Sequence, residues 1–363
     1  MAEPGFGLDS IMSIIWMPIM LFLMFYGQRI QAYLVLRKIG GSLNKLETMK
    51  VDARTKVITA LSEFNSDKSI VEKRLDRLLM SFMIAPISLD PKGMVQKLEH
   101  LINTQEHALR ADLRLIAKPA DDDQLSTLEN LVEVALGLNL MFKIIRHFYI
   151  SGKKTGSAMI LAQVQMLLPQ IMEQAEAYHA ALPSLMSGKP IGDGMGPLIA
   201  SRLAGKSKAR EIVDNTIVNE ASLDGRQLLL VRAKGPGGRV GKPGEAIKRL
   251  LDENKDISLI VTVDAALKFE GESTGEIAEG IGAAIGGPGV ERYKIEAVST
   301  ERSVPMIAIV VKMSEKDAIT SMGKKLLDAS NLLMQRLKDM IVSHSKKGDK
   351  IIVAGIGNTL GVP

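Results

Sequence analysis

The stretch best equipped for chemistry is Lys234–Gly244, KGPGGRVGKPG, which holds five glycines and the three cations Lys234, Arg239 and Lys242. A strand before it and a helix after it would make an anion cradle. Glycines let backbone N–H groups come close, and the helix N-terminus adds partial positive charge. The chemistry expected is recognition of a phosphate, as on a nucleotide-like ligand. It is not a P-loop: Pro243 follows Lys242 where Ser or Thr belongs, and Pro236 stands where the first glycine should be. Three more Gly-rich segments fall at element ends: Gly192–Pro197, Gly286–Gly289 and Gly355–Thr359. The expected ligand-binding set is Lys234, Gly235, Gly237, Gly238, Arg239, Gly241 and Lys242, joined by Gly192, Asp193, Gly194, Gly355, Gly357 and Asn358. Tight turns in a compact sheet would call for the same glycines.

Acidic residues supply the second kind of chemistry. Asp264 interrupts an apolar run, and Glu270 and Glu272 follow where that run ends. Carboxylates at strand ends of α/β folds are placed to act as acids or metal ligands, so Asp264 and Glu270 are candidates for a Mg ion beside a phosphate loop. A solvated strand end explains Glu270 equally well. His100 and His107 stand two turns apart beside Glu99 and Glu106, which is the pattern of a solvated helix face as much as of a metal site. The chain has no cysteine, so disulfides, thiolate zinc sites and Cys nucleophiles are excluded. It also has no HExxH.

The elements that must position these groups read as follows. From about 190 onwards short apolar strands alternate with helices and Gly loops, which predicts an α/β domain over a mixed sheet. Strands are expected at 216–222 and 226–233 as a hairpin, and at 257–269, 293–299, 304–313 and 350–354; helices at 198–203, 245–253, 275–285 and 315–343. Strands built of Val, Leu and Ile imply a sheet covered on both faces. Residues 42–188 carry apolar positions at helical spacing and predict an all-α domain. One of its helices is expected to run from about Ser66 to Pro86, and the next to open at Asp90-Pro91.

Ahead of these lies Leu8–Tyr26, 19 residues with no charge after Asp9, enough to cross a hydrocarbon core of ~30 Å as a helix. Arg29, Arg37 and Lys38 follow it, so the positive-inside rule puts the N-terminus outside and the body in the cytoplasm, as a single-pass cell-membrane protein. The expected divisions are 1–41, anchor and juxtamembrane helix; 42–188, helical domain; 189–363, α/β domain. The net charge of +5 suits contact with membrane lipid. No basic run interleaves with aromatics, so no nucleic-acid partner is expected.

GDGMGP at Gly192 resembles the opening loop of β-decarboxylating dehydrogenases, and GIGNT at Gly355 resembles hydrogenase-maturation proteases, each over no more than six residues. The whole pattern, one span, a helical middle, GDGMGPLIA, VTVDAALKFEGESTGEIAEGIGAAIGGPGVERYKIE and VAGIGNTLGVP, resembles an archaeal membrane-anchored family of unknown function. That resemblance implies location and brings no cofactor or catalytic residue. The function expected is therefore a membrane-anchored protein whose α/β domain binds a phosphate-bearing ligand. The alternatives are a scaffold that assembles itself or partners through its helical domain, and a metal-dependent hydrolase or phosphotransferase.

Overall fold

The computed structural model describes residues 8–84, 86 and 93–363. The chain falls into two compact units. One takes the chain up to Asp52 with Gly137–Ala175, and the other takes Ala53–Leu136 with Glu176–Pro363. Five helices come first: α1 (Leu8–Ser62), α2 (Lys68–Leu78), α3 (Met94–Ile116), α4 (Asp122–Thr155) and α5 (Ala158–Ser187).

The first unit is helical, and its core shows why. Ile39 and Leu46 of α1, Leu138 and Ile145 of α4, and Leu161 and Leu168 of α5 are all fully buried. Each pair is spaced by two turns, which lines up a seam on every helix. Lys50 adds a cation over the Phe142 ring, 3.9 Å from its centroid. Nearer the start of α1, the described side chains Met12, Ile15, Trp16, Met17, Met20, Leu21, Phe22 and Tyr26 are exposed. Among the described residues no helix is long and apolar enough to cross a membrane; several side chains of Leu8–Tyr26 lie outside the described set.

The second unit is organised by a seven-stranded mixed sheet. After α6 (Met195–Ala204) come β1 (Arg210–Val213), β2 (Thr216–Leu223), β3 (Arg226–Ala233), α7 (Pro243–Glu253), β4 (Ile257–Leu267), β5 (Ile277–Ile281), α8 (Val290–Arg302), β6 (Met306–Met313), α9 (Glu315–Ile319), α10 (Lys324–Ser343) and β7 (Lys350–Gly355). The order across the sheet is β1-β2-β3-β7-β4-β6-β5. The four strands β3-β7-β4-β6 are parallel, flanked by antiparallel β1, β2 and β5. Helices α6 and α10 pack one face through Met195, Ile199, Leu333 and Leu337. Helices α7 and α8 pack the other through Ile247, Leu250, Ile295 and Val298. With both faces covered, the central strands β3, β7, β4 and β6 are mostly apolar. The crossover from β3 to β4 runs by α7 over one face, and the return from β6 to β7 runs by α10 over the other. That opens a crevice at the carboxyl ends of the central strands, the usual ligand position of such sheets.

Several expectations are corrected. Residues 275–285, expected as a helix, hold the edge strand β5; Gly275 and Gly282 take positive φ of 93° and 111° and bracket it. Glycine disfavours helix, and pairing with β6 settles the conformation. Tyr293–Ser299, expected as a strand, lies inside α8, where Val290, Ile295 and Val298 form the buried side. The helix expected over 315–343 is two, because Ser314 caps α9 and the chain breaks at Thr320–Gly323. Helix α2 stops at Leu78, not Pro86, and Phe82 beyond it is 81% exposed. The Asp90-Pro91 start lies outside the described residues.

Where α6 begins, backbone touches backbone. A Cβ on Gly196 would run into the carbonyl oxygens of Val263 and Ile356, and one on Gly355 into the carbonyl of Gly196. Overpacking of this kind typically costs 1–3 kcal/mol and occasionally more. Gly196→Ala is expected to destabilise the protein by about 3 kcal/mol, read as a lower urea midpoint. An unchanged midpoint would mean that α6 can lift off the strand ends freely.

Candidate functional site

A cavity of about 410 Å³ opens at the carboxyl edge of the parallel strands. Its wall brings together all four Gly-rich segments. Gly241 and Lys242 enter from the loop before α7, Gly286–Gly289 from the loop before α8, Ile356 and Gly357 from beyond β7, and Asp193 from the turn before α6. Asp264 and Ala265 of β4 form its floor, and Glu99, Ile102, Asn103 and Glu106 of α3 close one side.

Two carboxyls define its chemistry. Val263 pairs with Gly355, the last residue of β7, so Asp264 is the first β4 residue beyond the neighbouring strand. Asp264 is 4% exposed and accepts a hydrogen bond from the Ala265 N–H at 2.7 Å and another from the Gly286 N–H. Asp193 arrives from the opposite face of the sheet, in the single turn Gly192–Gly194, and accepts from the Asn358 N–H at 2.7 Å. Its residue keeps some solvent contact along the cavity, yet its carboxyl is enclosed. Burial pushes the Asp193 carboxyl above its ordinary value, against the Asn358 hydrogen bond. Burial also pushes Asp264 well above its ordinary value; the charge of Asp193 adds to this, and the two N–H donors oppose it. Each carboxyl therefore holds its proton more tightly than a surface carboxylate does.

The expected cations are mostly committed elsewhere. Lys234 is exposed and pairs with Glu211 at 3.0 Å. Arg239, with its side chain only 7% exposed, pairs with Asp123 of α4 and donates to the Lys234 carbonyl. Only Lys242 reaches the cavity wall. The first amides of α7 are taken as well: the N–H groups of Gly244 and Glu245 donate to the Glu291 carboxylate at 2.7 and 3.3 Å. A side chain of the protein thus fills the anion position that the sequence offers to a phosphate.

The remaining expected residues hold the loops together. Gly235 lies against the Val362 carbonyl, Gly237 against Asp123, Gly238 against Asn130, Gly192 against the Asp317 carbonyl and Gly194 against that of Asn358. Asn358 is buried and donates from its side chain to Asn130 at 3.3 Å. The Thr359 hydroxyl donates to the Gly237 carbonyl at 2.7 Å, joining the second and fourth segments. Glu270 is exposed in the turn after β4 and lines neither cavity, so the proposed Asp264–Glu270 metal pair is not formed. Among the described residues no group of three or more His, Cys, Asp or Glu is arranged to hold a metal ion. Asp264 and Asp193 line the same cavity, together with Glu99, Glu106 and Glu291.

A second cavity, about 460 Å³, adjoins the first and shares Glu106, Val240, Gly241 and Lys242 with it. There Arg110 is held by Glu129 at 3.0 Å and Asp122 at 3.2 Å. Burial pushes Glu133 up to about 7, helped by the charges of Glu106 and Glu129. The carboxyl is enclosed although Glu133 as a residue is exposed, so this titration weighs little on folding stability. Neither Glu133 nor Glu291 was singled out from sequence. Glu133 left a signal, a lone acid in the apolar run LVEVALGL.

Arg239 is thus a structural residue. Asp123→Ala would leave its guanidinium buried without a counter-charge and is expected to cost about 3 kcal/mol. Lys234→Ala breaks an exposed pair and should cost less than about 1 kcal/mol. Urea unfolding of both variants checks the difference, and equal effects would mean that the Arg239 pair is screened as fully as the surface one.

No curated protein and no solved structure matches the chain. Two family models do. Residues 13–188 match the protein of unknown function (DUF1512) N-terminal domain, and residues 191–363 match the domain of unknown function (DUF1512) C-terminal. Between them they cover nearly all of the sequence, and the chain belongs to this DUF1512 family.

Proposed function

We propose that the protein is a hydrolase whose reacting groups are Asp193 and Asp264. The observation that carries this reading is the enclosure of two neighbouring carboxyls, each raised by burial, in one cavity at the carboxyl edge of the sheet. With one proton between them, the pair is acid and base at once. Asp264, the more strongly raised, holds the proton and donates to the carbonyl oxygen of an amide or ester. Asp193 takes a proton from a water whose oxygen attacks the carbonyl carbon. Collapse of the tetrahedral diol breaks the bond to the leaving nitrogen or oxygen, which takes the proton from Asp193, while a diol hydroxyl returns its proton to Asp264, so the pair ends as it began.

Asp193→Asn and Asp264→Asn are each expected to lower turnover of a fluorogenic amide or ester panel by about 10²-fold or more, with circular dichroism unchanged. Activity should fall as pH rises through the upper apparent pKa, where the acid is lost, and as pH falls through the lower, where the base is protonated. Full activity in either Asn variant removes the pair from the chemistry.

Binding of a phosphate-bearing ligand is a second reading, favoured by Lys242 and by the exposed backbone of Gly286–Gly289 beside the pair. It needs a divalent cation such as Mg on Asp193 and Asp264, since two carboxylates and substrate phosphates are its ordinary ligands. Under this reading nucleotides raise the melting temperature only when Mg is added.

The first part of α1 is proposed as a membrane anchor. Its support is the apolar run Leu8–Tyr26, the exposure of its described side chains and the basic residues Arg29, Arg37 and Lys38 behind it. Deleting residues 1–27 is expected to move the protein from the membrane pellet to the supernatant. Pelleting of the truncated chain after a high-salt wash would disprove a single N-terminal anchor.

A further inference from the structure

We infer that the turn joining α4 to α5 is a second membrane contact, a surface that docks on the headgroups of anionic phospholipids. It rests on the reading of Leu8–Tyr26 as an anchor, and the helix packing of the first unit leads to it. Helix α4 runs antiparallel to α1: Lys50 lies over the Phe142 ring, and nearer the start of α1 the Tyr149 ring packs against Gly40. Leu161 of α5 fills the space beside Gly152, so the hairpin closes just past that level. Continuing α4 from Tyr149 to Thr155 adds about 9 Å, which reaches the level of Leu34 on α1. That is where α1 leaves the bundle: Val35 and Ile39 are buried, whereas Ile30, Tyr33 and Leu34 are exposed. From Leu34 back to Tyr26, where the apolar run ends, is roughly 12 Å along the helix. The headgroup layer fills about half of that distance, and the reach of a lysine side chain covers most of the rest.

The charge of this unit is sorted along its length. From Ser10 to Leu46 and from Val134 to Met172 the sequence has no Asp or Glu. The acids of the unit beyond Asp9 are Glu47, Asp52 and Glu173, all towards the end of the bundle away from the turn. The turn end carries Arg146, Lys153 and Lys154, all exposed, and α1 brings exposed Arg37 and Lys38 to it. Phe148, Ile150 and Met159 are exposed among these cations. Cations mixed with exposed aromatic and aliphatic side chains, with no acid to repel a phosphate, match an anionic lipid surface. A second copy of the same face would meet it with like charge. A contact this small is too weak to hold the chain by itself; with the anchor in place it seats the bundle on the bilayer.

The chain has no cysteine, so a single introduced one carries a fluorescent label at a chosen place. Thr155→Cys puts the label at the turn, and Gln170→Cys puts it on exposed α5 surface nearer the other end of the bundle. The full-length protein is reconstituted in vesicles of phosphatidylcholine with phosphatidylglycerol, or of phosphatidylcholine alone, each with a headgroup-spin-labelled lipid as quencher. The Thr155 label is expected to be quenched in the anionic vesicles and to lose that quenching in the neutral ones, while the Gln170 label stays bright in both. Adding Arg146→Gln, Lys153→Gln and Lys154→Gln, all at exposed positions, should abolish the quenching with circular dichroism unchanged. High salt should abolish it without those substitutions. An unquenched Thr155 label on protein that stays with the vesicles through a high-salt wash would overturn the surface and leave the anchor standing. Quenching at low salt on protein that the wash removes upholds the surface and counts against the anchor. Equal quenching in neutral vesicles, or undiminished quenching in the triple variant, would overturn the inference. Protein that associates with neither vesicle would overturn both readings.

Discussion

The site depends on one close approach: the start of α6 lies directly on the carboxyl ends of β4 and β7. Only glycine at 196 and 355 leaves room for it, because any side chain there would meet a carbonyl oxygen. Gly357 does the same work one step further on, with φ of 128° and no space for a Cβ beside the Asp193 carbonyl. This contact carries Asp193 over the top of the sheet from the α6 face to the cavity, which opens on the α7–α8 face where Asp264 lies. The Gly-rich sequences are thus required first by packing. The chemistry follows from what that packing brings together.

A second constraint sets the polarity of the cavity. Helix α7 points its N-terminus inward, and such a terminus attracts an anion. The anion is Glu291, which is also tied to Lys294 at 3.1 Å, itself bound to Glu99 of α3 at 2.6 Å. The dipole of α7 is therefore used to fasten α8 and α3 to the loop. The resulting chamber is acidic, with Lys242 the one cation in its wall among the described residues.

Much of this was legible in the residues. The hairpin β2–β3 and the strands β4, β6 and β7 announce themselves as apolar runs between turn residues, and Asp264 stands out as a charge within one of them. That the four Gly-rich segments fall at ends of elements was readable; that Gly286–Gly289 joins the other three in one cavity wall was not. What could not be read was partnership. Nothing in KGPGGRVGKPG says that Arg239 turns to Asp123, a residue 116 positions earlier, or that Lys234 turns to Glu211. Such pairings depend on which helix lies over the loop, which is a tertiary fact. The misread elements have a local cause. The alanines Ala278, Ala283 and Ala284 within 275–285 suggest a helix, but glycine-flanked segments of this length have weak intrinsic preference, and β6 decides. In YKIEAVS the alternation suggests a strand, while the buried residues of α8 follow helical spacing from Val290 onwards.

Strand order has a consequence for how the molecule comes into being. β7 is the last of the seven strands to be synthesised, yet it lies between β3 and β4 near the middle of the sheet. Until it inserts, β3 and β4 have no shared neighbour, and each leaves a row of unpaired backbone groups open to other chains. Asn358, just beyond β7, then reaches back to Asn130 and Asp193 across 228 and 165 positions. Loops this long are closed late and slowly. The sheet therefore cannot be completed strand by strand during translation. Its half-built form is the state in which a cell must shield this protein from aggregation.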